Sequence, residues 1–197
     1  MPNRPHLCVF CGSSRGANPA YAEAARRVGT SLARHGLGLV YGGGRIGIMG
    51  IIADAALAEG GRVIGVIPDP LATKELAHDG LTELHVVPSM HERKALMARR
   101  STGFLMLPGG IGTFEEFFEI LTWAALGLHQ KPIGILNVAN YFDPLLALLE
   151  HTVAERFVRP EHLESLLVSD QPDTIAIDLL GHKPPPPGPK WIDLDQT

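Results

Sequence analysis

No apolar stretch in the 197 residues approaches the ~20 needed to cross a bilayer. The opening MPNRPH runs straight into a short strand-like segment, without the hydrophobic centre of a secretory leader. A cytoplasmic location is therefore expected. Charge of either sign is sparse: 17 Lys and Arg stand against 21 Asp and Glu, with no basic block to follow a phosphate backbone. The expected partner is a small molecule, not a nucleic-acid polymer and not a membrane. The nine histidines never form H-x-x-x-H or H-E-x-x-H, which argues against a dedicated metal site. Cysteine is nearly absent too. Cys8 and Cys11 make one C-x-x-C without a second ligand pair. A strand there would turn the two thiols to opposite faces, so buried, reduced cysteines are expected in place of a metal or redox pair.

What the sequence does have is a rhythm. Short apolar runs at Leu7–Cys11, Leu37–Tyr41, Arg62–Ile67, Leu84–Val87, Gly103–Leu107 and Ile133–Leu136 lack strict alternation, as parallel strands buried on both faces do. Helix-length segments follow at Tyr21–His35, Ile48–Glu59, Met90–Arg100 and Thr113–Leu126, with further helices expected at Pro144–Arg156 and Pro160–Leu167. This alternation predicts an α/β fold: one Rossmann-like domain over 1–182, a doubly wound parallel sheet with helices on both faces. Four consecutive prolines, Pro184 to Pro187, mark 183–197 as a proline-rich tail outside the packed core.

In such sheets ligands bind beyond the carboxyl ends of the strands. Three of those ends are rich in glycine or small polar residues. They are Gly12-Ser13-Ser14-Arg15-Gly16, the run from Gly42 through Gly43 and Gly44 to Gly50, and Pro108-Gly109-Gly110-Ile111-Gly112-Thr113. Each lies between a strand and a helix, where free N–H groups and the positive helix end favour an anion. One glycine turn alone serves packing as readily as binding; three at strand ends predict a nucleotide or sugar-phosphate site. No Gly-Lys-Ser/Thr follows to make a Walker loop. Pro68 stands where an acidic residue would read the ribose of NAD, which favours a mononucleotide.

Glu115 and Glu116 fall in the first turn of the helix after the third loop. Successive helical residues lie ~100° apart, so only one of them can face a pocket. Arg93 and Lys94, in Met90-His91-Glu92-Arg93-Lys94, open the preceding helix and can point into the same crevice. The plainer readings are helix-start stabilisation for the glutamates and a solvated charged face for the basic pair.

At these residues the sequence closely resembles the LONELY GUY family of cytokinin riboside 5′-monophosphate phosphoribohydrolases, whose bacterial members were long labelled lysine decarboxylases. The signature P-G-G-x-G-T-x-x-E stands as Pro108 to Glu116, and G-G-G-x-x-G-x-M-G as Gly42 to Gly50. The likeness runs on through Val9 to Ser14, Met90 to Lys94, Thr122-Trp123 and Lys131 to Gly134, covering about residues 7 to 160. The resemblance implies catalysis by Arg93 and Glu116. It places substrate contacts at Glu75, Lys94, Thr122 and the stretch Gly110, Ile111, Gly112, Thr113, Phe114, Glu115 and Glu116. The glycine-loop reading adds Gly12, Ser13, Gly43, Gly44 and Gly109. Two departures stand out: Thr102-Gly103 where members commonly carry Asp-Ala, and Ala125 where Gln is frequent.

The implied reaction hydrolyses the N-glycosidic bond of a nucleoside 5′-monophosphate such as AMP or isopentenyladenosine monophosphate, with no metal or organic cofactor. The rival from another class is a non-catalytic nucleotide or cofactor carrier on the same fold. A decarboxylase would need pyridoxal phosphate on a lysine; of five lysines only Lys94 falls near the crevice. Finally, Phe114, Phe117, Phe118, Leu121 and Trp123 crowd one short helix, more apolar surface than its own sheet can cover. A homodimer through this helix is expected. The alternative is that Pro144–Arg156 covers it within the chain.

Overall fold

The computed structural model describes residues 5–72 and 77–183. Seven strands, β1 (His6–Phe10), β2 (Gly38–Tyr41), β3 (Val63–Pro68), β4 (Glu83–Val87), β5 (Gly103–Met106), β6 (Ile133–Leu136) and β7 (Leu166–Ser169), form one sheet in the order β4-β3-β2-β1-β5-β6-β7. Every pairing is parallel. The helices are α1 (Pro19–Arg34), α2 (Gly47–Ala58), the single turn α3 (Asp69–Leu71), α4 (Met90–Arg100), α5 (Ile111–Ala125), α6 (Asp143–Ala154), α7 (Pro160–Glu164) and α8 (Ile175–Gly181). Among the described residues no helix is long and apolar enough to cross a membrane.

Strand alternation builds a core on each side of the sheet. Leu7, Val9, Leu39, Tyr41 and Leu105 pack against α1, α2 and α8. Cys8, Phe10, Val40, Phe104 and Met106 pack against α4 and α5, with Phe142 closing that layer. Both faces are apolar, which is why the strands read as unbroken hydrophobic runs. Cys8 and Cys11 indeed fall into opposite layers, buried and unpaired. Burial pushes both thiols well up from their ordinary range, so they are inert at neutral pH.

Helix starts follow from local chemistry. Asn18 Oδ1 accepts the Ala20 N–H at 2.9 Å ahead of Pro19, fixing the start of α1. Ser89 Oγ accepts the Glu92 N–H at 3.2 Å, half of a capping box, and so places Arg93 in the opening turn of α4.

The strand order reverses between β1 and β5. The chain leaves β1 toward β2, β3 and β4, then returns through α4 to lay β5 on the other side of β1. The crevice of an open α/β sheet opens at such a point. One expected element is shortened: the helix Pro160–Leu167 starts at Pro160 but ends at Glu164, and Leu166–Ser169 becomes an edge strand on β6. An apolar run ending in Val168 suits either state, and the free edge of β6 decides it. α8, not among the elements expected from the sequence, covers Gly134 of β6 with Leu179. The run 184–197, including the four prolines, lies outside the described residues.

Candidate active site

The three glycine loops meet at the carboxyl edge of the sheet, and they are not equivalent. Gly12 N–H donates to Pro108 O at 3.1 Å, tying the loops after β1 and β5 together across the reversal point. Gly12 O accepts from the Ile48 and Met49 N–H groups at 3.0 and 3.2 Å. The first donors of α2 are therefore satisfied by protein. The second loop is likewise engaged: Gly43 O accepts the His78 N–H at 3.0 Å, and Gly44 bridges Ala77. Gly12, Gly43 and Gly44 are thus buried scaffold, while Ser13 stays exposed.

The third loop differs. No side chain caps α5 at Gly110, and open space lies over both Gly110 and Gly112. A side chain on Gly109 would meet Thr113 Oγ1 at 2.1 Å, so the loop closes this tightly only as glycine. Ile111 is exposed, Thr113 is buried, and Phe114 is half-buried against Phe142. The start of α5 is thus the loop end best placed to receive an anion.

Beside it sit Arg93 and Glu116. Arg93 Nε donates to Val66 O at 3.0 Å, and Nη1 lies 2.8 Å from Glu116 Oε1. Gly42 makes room for the guanidinium: a Cβ there would fall 2.2 Å from Nη2. Glu116 is only 7% exposed. Its Oε1 contacts Arg93 out of line with the N–H and so lacks a formal hydrogen bond. Burial raises the Glu116 carboxyl above its ordinary value, Arg93 opposes that, and Glu115 and Glu119 add to it. A buried carboxylate paired to one cation with bonding capacity to spare is costly for stability and useful for chemistry.

Its neighbour turns away. Glu115, half exposed, pairs with Lys94 Nζ, which also lies 3.0 Å from Glu119 Oε1. Lys94 is thus engaged by α5 and is not an open cation in the crevice. Thr122, exposed, donates its hydroxyl to Phe118 O at 2.7 Å, two turns beyond Glu116. Its hydroxyl is engaged by its own helix. Glu75 lies outside the described residues.

An adjoining cavity of about 280 Å³, which no sequence motif announces, lies on the α1 side of the P-G-G loop. Arg15, Tyr21, Ile48 and Tyr141 line it with Ser13, Ser14 and the loop Pro108 to Gly110. Tyr21 was detectable as a first-turn residue of α1. Tyr141 had no local signal, because an irregular turn delivers it. Among the described residues no group of three or more His, Cys, Asp or Glu side chains could hold a metal.

A family model described as "Possible lysine decarboxylase" matches residues 49–179. A cytokinin riboside 5′-monophosphate phosphoribohydrolase from Rhodococcoides fascians is 51% identical over 168 residues, 85% of this chain and 85% of its own. The cytokinin riboside 5′-monophosphate phosphoribohydrolase LOG1 of Arabidopsis thaliana is 48% identical over 154 residues, 78% of this chain and 72% of its own. Among solved structures, the molybdenum cofactor binding protein from Rippkaea orientalis gives a TM-score of 0.69 at 20% identity, covering 92% of this chain and 98% of its own. The Moco carrier protein of Chlamydomonas reinhardtii gives 0.66 at 21%, covering 90% and 97%. Both of these structural likenesses are of fold alone.

The Lys94 cluster makes a prediction about stability. Its two carboxylates raise the ammonium pKa against the opposing effect of burial. The contribution is therefore complete below the ordinary lysine value of 10.5 and is lost only as pH rises beyond it. Lys94→Met should cost up to about 1 kcal/mol in urea unfolding at neutral pH, with positive coupling to Glu119→Gln in a double-mutant cycle. Unchanged stability and zero coupling would show that the clamp contributes nothing.

Proposed function

Because the chain belongs to the LONELY GUY family, we propose that it hydrolyses the N-glycosidic bond of a nucleoside 5′-monophosphate, yielding free base and ribose 5-phosphate. The observation that carries this reading is the buried Arg93–Glu116 pair beside the uncapped start of α5. The relatives at 51% and 48% identity are named for this activity on cytokinin nucleotides, and AMP or isopentenyladenosine monophosphate is the substrate type proposed here.

The chemistry asks for three things. The 5′-phosphate must be anchored, and the N–H groups and hydroxyl from Gly110 to Thr113 supply donors at a positive helix end. The ribosyl centre gains positive charge as the C1′–N bond breaks, and ionised Glu116 stabilises it. Water must then attack C1′ and lose a proton, which Glu116 accepts while the bonding pair leaves with the base. Arg93 keeps the carboxylate ionised and, with further N–H groups to offer, orients the sugar. A carrier would need an anion site but no buried carboxylate at the sugar, and the carrier structures resemble this chain at fold level only.

A homodimer belongs to the same proposal. The chain itself covers part of the crowded α5: Phe117 and Leu121 are buried, and Leu145 and Leu146 of α6 pack into the layer that holds Phe114 and Trp123. Phe118, Leu126 (64% exposed) and Leu128 (69%) remain on the outside. They lie near Thr122, which a second copy could complete into a substrate contact. The unpaired thiols are in keeping with a reducing compartment such as the cytoplasm.

Two outcomes are expected. Glu116→Gln and Arg93→Ala each lower base release from AMP by ~10²-fold or more while the protein stays folded, and Glu115→Gln does far less. Because burial raises Glu116, the acid limb of kcat/KM should fall above the ordinary carboxylate value of 4.5, rate being lost as pH drops through it. A more damaging Glu115→Gln would move the chemistry to the wrong carboxylate for this account. Light scattering at micromolar concentration should report twice the 21.2 kDa chain mass; a fully active monomer would remove the dimer from the proposal.

A further inference from the structure

The cavity beside the P-G-G loop has one wall that the catalytic reading leaves unused. Tyr141 lines it and donates its hydroxyl to Gly109 O at 2.6 Å. The Tyr141 ring stands edge-on to Tyr21 at 5.3 Å and to Phe142 at 4.9 Å. Phe142 is itself buried, so the Tyr141 ring packs on a fixed neighbour.

The backbone that delivers Tyr141 is held in an unfavourable shape. Ala139 and Asn140 both adopt left-handed conformations, with φ of 49° and 60°, which non-glycine residues seldom take in succession. Asn137 over-determines the turn: its Oδ1 accepts the Phe142 N–H at 2.7 Å, and its Nδ2 donates to Asp143 Oδ1 at 2.8 Å. The Asn137 N–H donates in turn to Ser169 O of β7 at 2.8 Å. The result is a rigid arm that brings one hydroxyl to one carbonyl.

That carbonyl belongs to the peptide between Gly109 and Gly110. Flanked by two glycines, this is the peptide unit of the loop most free to turn over. In a trans peptide the C=O and N–H point in opposite directions, so holding the Gly109 oxygen also fixes the Gly110 N–H. A flip would exchange a donor for a carbonyl oxygen at the entrance to α5. We propose that Tyr141 is a positioning residue for the substrate's phosphate, locking the Gly109–Gly110 peptide in the orientation that accepts an anion. The proposal rests on the reading that the start of α5 takes the 5′-phosphate. It adds a residue on the opposite side of the loop from the Arg93–Glu116 pair.

Tyr141→Phe tests this, because it removes the hydroxyl and keeps both ring contacts. The KM for AMP should rise roughly three- to tenfold with kcat within about twofold, as fits one lost hydrogen bond acting on binding. Affinity for ribose 5-phosphate, measured by calorimetry, should weaken by the same factor while the thermal midpoint moves by only a few degrees. Unchanged KM and unchanged ribose 5-phosphate affinity would overturn the proposal. So would a loss confined to kcat, or a large fall in thermal midpoint with normal affinity, which would make Tyr141 merely structural. If the unaltered protein releases no base from AMP, the hydrolase reading falls separately, and the ribose 5-phosphate comparison still decides the role of Tyr141.

Discussion

Glu116 is a carboxylate removed from water and held against a single guanidinium, and much of the carboxyl edge is arranged around that contact. Arg93 reaches it because Ser89 starts α4 one turn earlier and because Gly42 has no side chain to block the guanidinium. The Val66 carbonyl, within β3, fixes the angle of approach. Glu116 in turn is set by α5, whose start depends on the tight turn at Gly109. Three strands and two helices thus converge on one ion pair. Buried pairs contribute little to stability, since desolvation offsets their attraction. This one leaves Glu116 Oε1 short of hydrogen bonds, which is why the proposed chemistry is assigned to it.

The reversal of strand order makes this convergence geometrically available. β1 and β5 are far apart in sequence yet adjacent in the sheet, and the Gly12–Pro108 hydrogen bond joins their loops. The edge then divides into two sides. Toward α4 and α5 lies the charged pair; toward α1 lies the cavity walled by Tyr21 and Tyr141. The P-G-G loop runs between them and presents backbone to both.

The fold was legible because each strand is a continuous apolar run and each crossover helix is long. Met90–Arg100 and Ile133–Leu136 agree with the structure to the residue. Spacing leaves open which of Glu115 and Glu116 turns inward; in the structure Glu115 is half exposed and pairs with Lys94, while Glu116 is buried against Arg93. Other features depend on tertiary context that no local pattern carries. The strand Leu166–Ser169 exists because β6 offers an edge. The engagement of Gly43 and Gly44 depends on Ala77 and His78 returning over them, and the left-handed turn before Tyr141 contains no glycine to announce it. Glycine-rich loops look alike in sequence; only in the folded chain do Gly12, Gly43 and Gly44 prove to be buried scaffold and Gly110 and Gly112 open.

The central claim is that a phosphate anchored at α5 holds the sugar of a mononucleotide against Glu116. Initial-rate kinetics on AMP, adenosine and ATP under one set of conditions test it most directly. The account predicts release of adenine from AMP with kcat/KM at least ~10²-fold above that for adenosine, because anchoring energy is used at the reacting centre. ATP should be a poor substrate, its longer phosphate chain exceeding a loop suited to one compact anion. Adenosine turned over as efficiently as AMP would contradict the anchor and, with it, the account of the site.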